Sequence, residues 1–355
     1  MRQSCYDVAI IGAGPAGAVL AAQLARKCPE LKILLVDGQG EDNKKVCGGL
    51  LAPDAQGMFA RLGLTLPKNV LADPQIFDVE TIDLVTGSVR NYQRHYLNMD
   101  RYKFDKWLVS LVPDSVYIYR GRCEKVQRDG DGFVLTLDGE SAGACFVVGA
   151  DGANSSVRRT FFKDRPVKKY VSIQQHFKCD DAGNMPPYSC IFDSKTSDSC
   201  SWTIRKEGTV IFGGAFDKKN CRQMFELQKM RLEKLMGQEF GDVVKTEACL
   251  VTSPRRYSDL LCGGGNVFLV GEAAGFISAS SFEGISSAML SARLLAEAFA
   301  NSDCDGAQIL RRYRKNTRGL RFKLYTKMQK RCVLCSSSLR SLIMKSGVRS
   351  MEKYD

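Results

Sequence analysis

The sequence predicts an α/β fold in which a Rossmann-like parallel-sheet domain is interleaved with an antiparallel-sheet domain and followed by a C-terminal helical segment. Three observations predict it: a βαβ pattern over residues 6–36, alternating apolar and polar residues between 169 and 215, and helical periodicity from Ala307 onward. The chain has 355 residues, of which 44% are hydrophobic and 25% charged, so it is long enough for two or three cores.

The N-terminal unit is a strand, a helix and a second strand. Tyr6 to Gly12 is a β-branched run that ends in glycine, Pro15 to Lys27 is rich in alanine, and Leu31 to Val36 is a second apolar run. Because a helix that links two neighbouring strands makes them parallel, this pattern predicts the start of a doubly wound sheet.

Further strands and one long helix follow. Val267 to Gly271 is a buried apolar run, and Phe276 to Ala300 has small residues at helical spacing, interrupted near its start by Gly284. The strands that we expect between these elements are Ile76–Leu84, Val116–Tyr119, Phe133–Leu137, Phe146–Ala150, Val171–Phe177, Tyr188–Phe192, Cys200–Ile204 and Thr209–Phe212.

The order of these elements predicts domains that alternate along the chain. We assign residues 1–72, 95–165 and 253–300 to the dinucleotide-binding domain and residues 73–94 and 166–252 to the substrate-binding sheet domain. Residues 301–355 form the basic helical region.

The strongest motif is a glycine fingerprint for a dinucleotide. Gly12, Gly14 and Gly17 form GxGxxG around Pro15 and Ala16, directly after the first strand, and Asp37 ends the second strand. Gly12 allows a tight turn, Gly14 lets a diphosphate approach the backbone, and Gly17 allows close helix packing. The carboxylate of Asp37 can accept hydrogen bonds from a ribose.

Two later segments resemble the flavoproteins of the p-hydroxybenzoate hydroxylase fold. These are VVGADGANSSVR, with Asp151 and Gly152, and VFLVGEAAGFISASSFEGI, with Gly271 and with Glu272 in place of the usual Asp. The segments KVCGGLLAP and RYKFDKWL are similar to the geranylgeranyl reductase family, and LLAPDAQ, YSCIFD and FISASS are similar to its bacterial CbrA-type members.

The resemblance implies that the chain binds FAD. The helix that follows Gly275 would face the flavin, where its N-terminus stabilises negative charge on the reduced ring. The cofactor-binding residues that we predict are Gly12, Gly14, Pro15, Ala16, Gly17, Asp37, Gly48, Gly49, Arg101, Asp151, Gly152, Gly271, Glu272, Gly284 and Ile285.

Cys47 is the candidate catalytic residue. It follows the basic pair Lys44 and Lys45 and precedes two glycines, and in the resembling reductases the equivalent cysteine lies beside the flavin. The aromatic motif of those reductases falls on CSWTIRK, where Trp202 and Lys206 match. Trp202 and Lys206 are therefore candidate substrate residues, and a core position is the alternative for Trp202. His176 is a third candidate, for which a structural histidine with its hydrogen bonds satisfied is the alternative.

The function that the resemblance implies is FAD-dependent reduction of a C=C bond in a lipophilic, isoprenoid-like substrate. An FAD-dependent aromatic monooxygenase and a non-catalytic flavin-binding protein in envelope stress tolerance are the alternatives. The chain has no second βαβ fingerprint, so the reductant would be NAD(P)H bound transiently or a ferredoxin-like donor. We predict no metal site, because only Cys332 and Cys335 have CxxC spacing and no second pair accompanies them.

The net charge of +12 lies in the C-terminal region. Residues 306–355 have 14 Lys and Arg against 2 Asp and Glu, which leaves 37 basic and 37 acidic residues elsewhere. This distribution does not favour a nucleic-acid partner, because a nucleic-acid enzyme more often has basic groups around its cleft. With a mean hydropathy of −0.19 and no run of roughly 20 apolar residues, we expect a cytoplasmic protein.

The basic region has an apolar stripe edged with positive charge. Such a helix either contacts anionic lipid at the inner membrane face or covers the fold with a solvated basic side. The stripe consists of Leu310, Tyr313, Leu320, Leu324, Tyr325 and Met328.

Overall fold

The computed structural model describes residues 4–38, 45–178 and 185–353. The strands in this part of the chain are β1 (Ser4–Ile11), β2 (Ile33–Asp37), β3 (Leu50–Leu51), β4 (Ile76–Asp83), β5 (Ser88–Asn98), β6 (Tyr117–Arg120), β7 (Cys123–Asp129), β8 (Gly132–Leu137), β9 (Glu140–Gly149), β10 (Lys169–Lys178), β11 (Tyr188–Phe192), β12 (Cys200–Lys206), β13 (Thr209–Phe216), β14 (Val243–Thr252), β15 (Gly263–Gly264) and β16 (Val267–Leu269). The helices are α1 (Pro15–Lys27), α2 (Pro53–Leu62), α3 (Arg101–Ser110), α4 (Ser156–Phe161), α5 (Cys221–Met236), α6 (Ile285–Ala300), α7 (Gly306–Asn316), α8 (Arg318–Cys335) and α9 (Ser337–Ser346).

The first sheet has the parallel centre that the βαβ pattern predicts. Its main order is β15-β16-β9-β1-β2-β6, and β1 pairs in parallel with both β2 and β9. Every residue of β2 is buried, as expected of a parallel strand covered on both faces. The carboxyl ends of β1, β2 and β9 therefore lie at one edge, where ligands of doubly wound sheets bind.

The second sheet has the order β14-β10-β13-β12-β11-β4-β5-β3. The strands β10 to β13 pair antiparallel, as the alternation predicts. However, β11 pairs in parallel with β4, so the sheet is mixed. About a hundred residues separate β4 from β11 along the chain, so no hairpin turn requires these two strands to run antiparallel. Together the two sheets confirm the predicted fold class.

Each sheet packs on its own helices. Ile10, Leu20 and Leu295 are fully buried in a core between the first sheet, α1 and α6. On the outer side of the second sheet, Phe212 lies 5.1 Å from Phe225 of α5, between ring centroids. The opposite side, which we call the inner side, carries Trp202 and Lys206, and these contact the loop around Gly48.

The C-terminal helices are part of the fold. Tyr313, Leu320, Leu324 and Met328 of the predicted stripe are buried in the first core, whereas Tyr325 is exposed. The apolar stripe of α7 and α8 is thus covered by the protein, as the second interpretation of the sequence expects. The helix α9 is attached to β4 by a buried ion pair in which Arg340 Nε lies 3.0 Å from Asp83 Oδ2.

The prediction of helix from Phe276 onward is wrong at its start. The helix α6 begins at Ile285 with Gly284 as its N-cap, and the preceding residues form turns. The backbone leaves the helical conformation there, because Gly275 has φ +78° and Phe282 has φ +54°. The Ser281 hydroxyl lies 2.9 Å from both Ser278 Oγ and the Glu283 carboxylate. The helix N-terminus expected after Gly275 is therefore at Gly284 and Ile285.

Candidate functional site: a dinucleotide cradle facing a mixed sheet

The glycine fingerprint forms a tight turn between β1 and α1. Gly12 has φ +105°, and a Cβ there would lie 2.7 Å from the Ala150 carbonyl oxygen. A Cβ on Gly17 would lie 1.8 Å from the Gly12 carbonyl oxygen, so only glycine fits. In contrast, no atom lies within 4 Å of a Cβ placed on Gly14. Pro15 and Ala16, both buried, begin α1 behind this open space, which has the geometry of a diphosphate site at a helix N-terminus.

Asp37 lies at the predicted position, the carboxyl end of β2. Its side chain is largely buried, and Lys106 Nζ of α3 lies 3.5 Å from its Oδ2. The carboxylate is therefore held at the same edge of the sheet as the glycine turn.

The two motifs of the flavoprotein resemblance meet beside this turn. Asp151 Oδ2 accepts hydrogen bonds from the Ser156 amide at 2.6 Å and hydroxyl at 2.9 Å. Its other oxygen, Oδ1, is buried and has no partner. Lys45 Nζ lies 3.2 Å from Glu272 Oε2 and 3.9 Å from a Cβ placed on Gly152. The loop before Cys47 therefore touches both motifs.

The segment after β16 turns sharply around Gly271. This glycine has φ +56°, a Cβ there would lie 2.9 Å from Ala16 Cβ, and its amide donates to Ser291 Oγ at 3.0 Å. The turn brings the segment that leads to Gly284 and Ile285 against the start of α1. It is the close contact with α1 that requires glycine at this position.

The loop from residue 45 to 51 lies between the two sheets. Lys206 Nζ of β12 donates to the carbonyl oxygens of Gly48 and Met99, each at 2.7 Å. A Cβ on Gly48 would lie 2.5 Å from Ile204 Cδ1, and one on Gly49, at φ +69°, would lie 2.3 Å from the Met99 oxygen. These close approaches fix the loop on the second sheet.

Cys47 is in a cationic environment. Its half-buried Sγ accepts a hydrogen bond from the Gly49 amide at 3.4 Å and contacts the Arg101 guanidinium. Burial acts to raise the thiol pKa, but Arg101, the Gly49 amide and Lys206 outweigh it and lower the pKa below its ordinary value. Arg101 also donates to Asp105 Oδ1 at 2.9 Å, which orients it. The predicted Lys44 lies outside the described residues.

The inner face of the second sheet carries Trp202. Its indole nitrogen would lie 2.5 Å from a Cβ on Gly213 and 3.8 Å from one on Gly48, so it is beside the loop. The buried Nε1–H has no hydrogen-bond partner, and neither has Gln174 Oε1 on β10, which is separated from β12 by β13. A buried polar atom without a partner costs about 1–3 kcal/mol, which a ligand with matching polar groups can recover.

His176 lies on the same face, in a polar cluster with Gln174 and Glu247. Its Nε2 is 3.0 Å from Glu247 Oε2, and Gln174 Nε2 donates to the same oxygen at 3.1 Å. Burial lowers the pKa of His176, against the effect of Glu247. Lys206 therefore holds the loop, whereas His176 contacts β14.

Sequence reasoning missed Lys106, Gln174 and Glu247. Gln174 and Glu247 come from the strands β10 and β14, which carry no motif, and only the fold brings them to the site. A signal existed for Lys106 alone, because it follows Arg101 by five positions within RYKFDKWL.

The described residues contain no helix long and apolar enough to cross a membrane. They also contain no group of three or more His, Cys, Asp or Glu side chains arranged as metal ligands. Cys332 and Cys335 are on α8, where burial raises the pKa of the Cys335 thiol to about 11.

Comparison with known proteins identifies the family. The profile of a family described as lycopene cyclase protein matches residues 7–179. Protein CbrA of Escherichia coli O6:H1 is 46% identical over 349 residues, which is 97% of this chain and 94% of that protein. The chain belongs to the CbrA family. This confirms the resemblance to CbrA-type proteins.

Solved structures share the fold of this CbrA-family chain. A geranylgeranyl bacteriochlorophyll reductase-like protein from Thermoplasma acidophilum has a TM-score of 0.79 at 16% identity, over 96% of this chain and 90% of that one. HpxO of Klebsiella pneumoniae, solved with FAD and uric acid, has a TM-score of 0.68 at 18% identity, over 97% and 94%. This chain therefore shares its fold with both of these structures.

Proposed function

We propose that the chain is an FAD-dependent oxidoreductase that reduces a C=C bond of a lipophilic, isoprenoid-like substrate. One observation carries the proposal: the loop of residues 45–49 joins two parts of the site. The first part is the dinucleotide cradle, which consists of Gly12, Gly14, Gly17, Asp37, Asp151 and Glu272, and the second is the Cys47 thiol in its cationic environment. Lys45 of this loop pairs with Glu272, and two residues later Cys47 contacts Arg101. This arrangement supports the proposal, because a polarised acid would lie beside the residues that would bind the cofactor.

The residues of the cradle fit FAD. The open space at Gly14 and the α1 N-terminus would bind the diphosphate, and Asp37 would bind the adenosine ribose. The unpartnered Asp151 Oδ1 would accept a hydrogen bond from a cofactor hydroxyl. Gly284 and Ile285 would place the α6 N-terminus near the flavin. The bound flavin would supply the hydride.

Cys47 would supply the proton that completes the reduction. The Cys47 Sγ–H bond breaks and the proton goes to the substrate carbon, while the resulting thiolate stays beside Arg101 and Lys206. Because these cations stabilise the thiolate, Cys47 is a stronger acid than an ordinary buried cysteine. Water from outside the site then returns the proton to the sulfur.

The inner face of the second sheet would bind the substrate. Trp202 would present a large apolar surface beside Gly48 of the loop, and its free indole N–H would orient a polar group of the substrate. Lys206 would act by holding the loop, and His176 would lie at the β14 side of the substrate.

The test is an anaerobic single-turnover experiment. Protein loaded with FAD is reduced with dithionite or NADPH and mixed with polyprenyl lipids, and the products are analysed by mass spectrometry. A product that gains two hydrogen atoms while the flavin is reoxidised supports the proposal. A parallel reaction is run with O₂. An oxygenated product that forms only in this parallel reaction would overturn the proposal in favour of a monooxygenase. A flavin that no lipid reoxidises would overturn it in favour of a binding protein.

Cysteine variants test the proton donor in the same experiment. We expect Cys47→Ala to slow product formation by about 10²-fold. Cys249→Ala is the matched control, because this half-buried cysteine also lies beside the loop, yet burial raises its thiol pKa to about 11. Equal rates for Cys47→Ala and the unchanged protein would remove Cys47 from the reaction.

We also propose peripheral contact with the cytoplasmic face of the inner membrane, and the structure favours α9 for it. Leu342 is 67% exposed and Val348 just beyond the helix is 61% exposed, with Lys345 and Arg349 beside them. Apolar side chains edged with cations fit an anionic lipid surface. In flotation with phosphatidylglycerol vesicles, Leu342→Ser with Val348→Ser should reduce binding, whereas Val244→Ser on β14 should not. Equal flotation of the unchanged protein and the Leu342→Ser, Val348→Ser variant would show that this surface does not bind the membrane.

A further inference from the structure

A second concave site lies next to the cradle. A cavity of about 830 Å³ is formed by the segment after the Asp151 motif, by the residues that follow β13, and by Thr252 and Glu272. Its size is within the range of about 300–1,000 Å³ that is typical of small-ligand sites. Since Glu272 forms part of its wall, the cavity adjoins the residues that would hold FAD.

The lining of this cavity is strongly cationic. Eight Lys and Arg side chains line it against two carboxylates, Asp217 and Glu272. Lys168 pairs with Asp217, and Arg158 donates to the Ala273, Asp259 and Arg165 carbonyl oxygens. Among the residues that the structure describes, the remaining six have no carboxylate within ion-pair distance: Arg159, Lys163, Arg165, Lys169, Lys218 and Lys219.

These cations repel each other. Lys169 is half-buried, and burial together with Arg159, Lys218 and Arg158 lowers the pKa of its ammonium group. The excess of positive charge is local to the cavity, because residues 1–305, to which all of these cations belong, have as many acidic as basic side chains in total. A neutral body that concentrates cations in one cavity stabilises a bound anion.

We propose that this cavity binds a ligand with two or more phosphate groups. The proposal rests on the proposed function, which requires both a reductant and a lipid substrate. NADPH carries a diphosphate and a 2′-phosphate, and a prenyl diphosphate carries two adjoining phosphates. Either ligand would be bound by Lys218 and Lys219 on one side and by Arg159 and Lys163 on the other. Because Glu272 forms part of the wall, the ligand would lie next to the residues that would hold FAD.

The test measures binding rather than turnover. Isothermal titration calorimetry with inorganic pyrophosphate is performed on FAD-loaded protein at low and high salt. We expect saturable binding that weakens with salt, and an increase in Kd of about tenfold for the Lys218→Met, Lys219→Met double variant, equivalent to about 1.4 kcal/mol. The control is the Lys315→Met, Lys330→Met double variant, because both lysines are exposed and neither lines the cavity.

Two further titrations identify the source of the phosphates. A preference for NADPH over NADH that the double variant loses assigns the cavity to the reductant. A preference for geranylgeranyl diphosphate over geranylgeraniol that the variant loses assigns it to the substrate. Absence of pyrophosphate binding, or equal Kd values for both double variants, would overturn the proposal. Because no turnover is measured, failure of lipid reduction leaves this result unaffected.

Discussion

Lys206→Met is the sharpest test of how the site is held together. The variant keeps most of the side-chain volume but removes the ammonium group that binds the Gly48 and Met99 carbonyl oxygens, each at 2.7 Å. Hydrogen bonds from a charged donor contribute about 1.5–3 kcal/mol, and methionine leaves both oxygens without this donor. Allowing for partial access of water, we expect the free energy of unfolding to fall by about 3 kcal/mol.

The same variant should change the chemistry of Cys47. Lys206 is one of the cations that lower the thiol pKa, and burial lowers its own pKa to about 8, so at pH 7 it is mostly charged. Removing this charge should raise the Cys47 pKa. The pH at which Cys47 reaches half its maximal alkylation rate should therefore increase.

Two measurements check these expectations. Urea unfolding gives the loss of stability, and mass spectrometry of the Cys47 peptide after iodoacetamide pulses gives the alkylation rate at each pH. Lys234→Met, at an exposed position near the end of α5, is the control. Unchanged unfolding and an unchanged alkylation profile in Lys206→Met would refute the inference that Lys206 fixes the loop and polarises the thiol.

Three further perturbations follow from the geometry. Gly14→Ala should leave folding intact, since nothing lies within 4 Å of the new Cβ, yet weaken FAD binding in fluorescence titrations; Gly57→Ala, equally open but on α2, should bind normally. Arg340→Met leaves the Asp83 carboxylate, 0% exposed, without its partner, so urea unfolding should show a loss of about 3–5 kcal/mol, and a loss below about 1 kcal/mol would contradict this. Burial lowers the His176 pKa below 6.5, so the unfolded chain binds this proton more readily and stability should rise with pH up to about 6.5. His176→Gln should flatten that rise in unfolding curves, and an unchanged slope would contradict it.

Strong local patterns made much of the first sheet predictable. The helix α1 has the predicted bounds, Pro15 to Lys27, because proline marks its start and small apolar residues continue through it. The strand β14 was missed because most of its residues are exposed and it has no clear alternation. The helix α5 was missed because its buried face includes Gln228. Such elements are specified by their neighbours more than by their own pattern.

In the candidate site, too, some features could be predicted from the sequence and others could not. Backbone geometry that only glycine satisfies is written in the sequence, so Gly12, Gly17 and Gly271 were predictable from motifs alone. The electrostatics of Cys47 were not, because Arg101 and Lys206 are 54 and 159 positions away and reach it through α3 and β12. The residue boundaries of the domains and the roles of the predicted site residues stay predictions.

The position of the loop explains why the Cys47 thiol differs from the other twelve cysteines that the structure describes. Residues 45–49 contact the first sheet through Lys45 and Glu272, and the second through Lys206 and through Cys249, whose Sγ lies 3.7 Å from the Val46 oxygen. A thiol on such a loop cannot move away from the cations that surround it, so the cost of its burial is offset by a fixed positive field. Cys249 lies beside the same loop without that hydrogen-bonded cation, and its thiol pKa is raised to about 11. The difference in acidity between these neighbouring cysteines is therefore a property of the loop contacts, and any variant that frees the loop should reduce it.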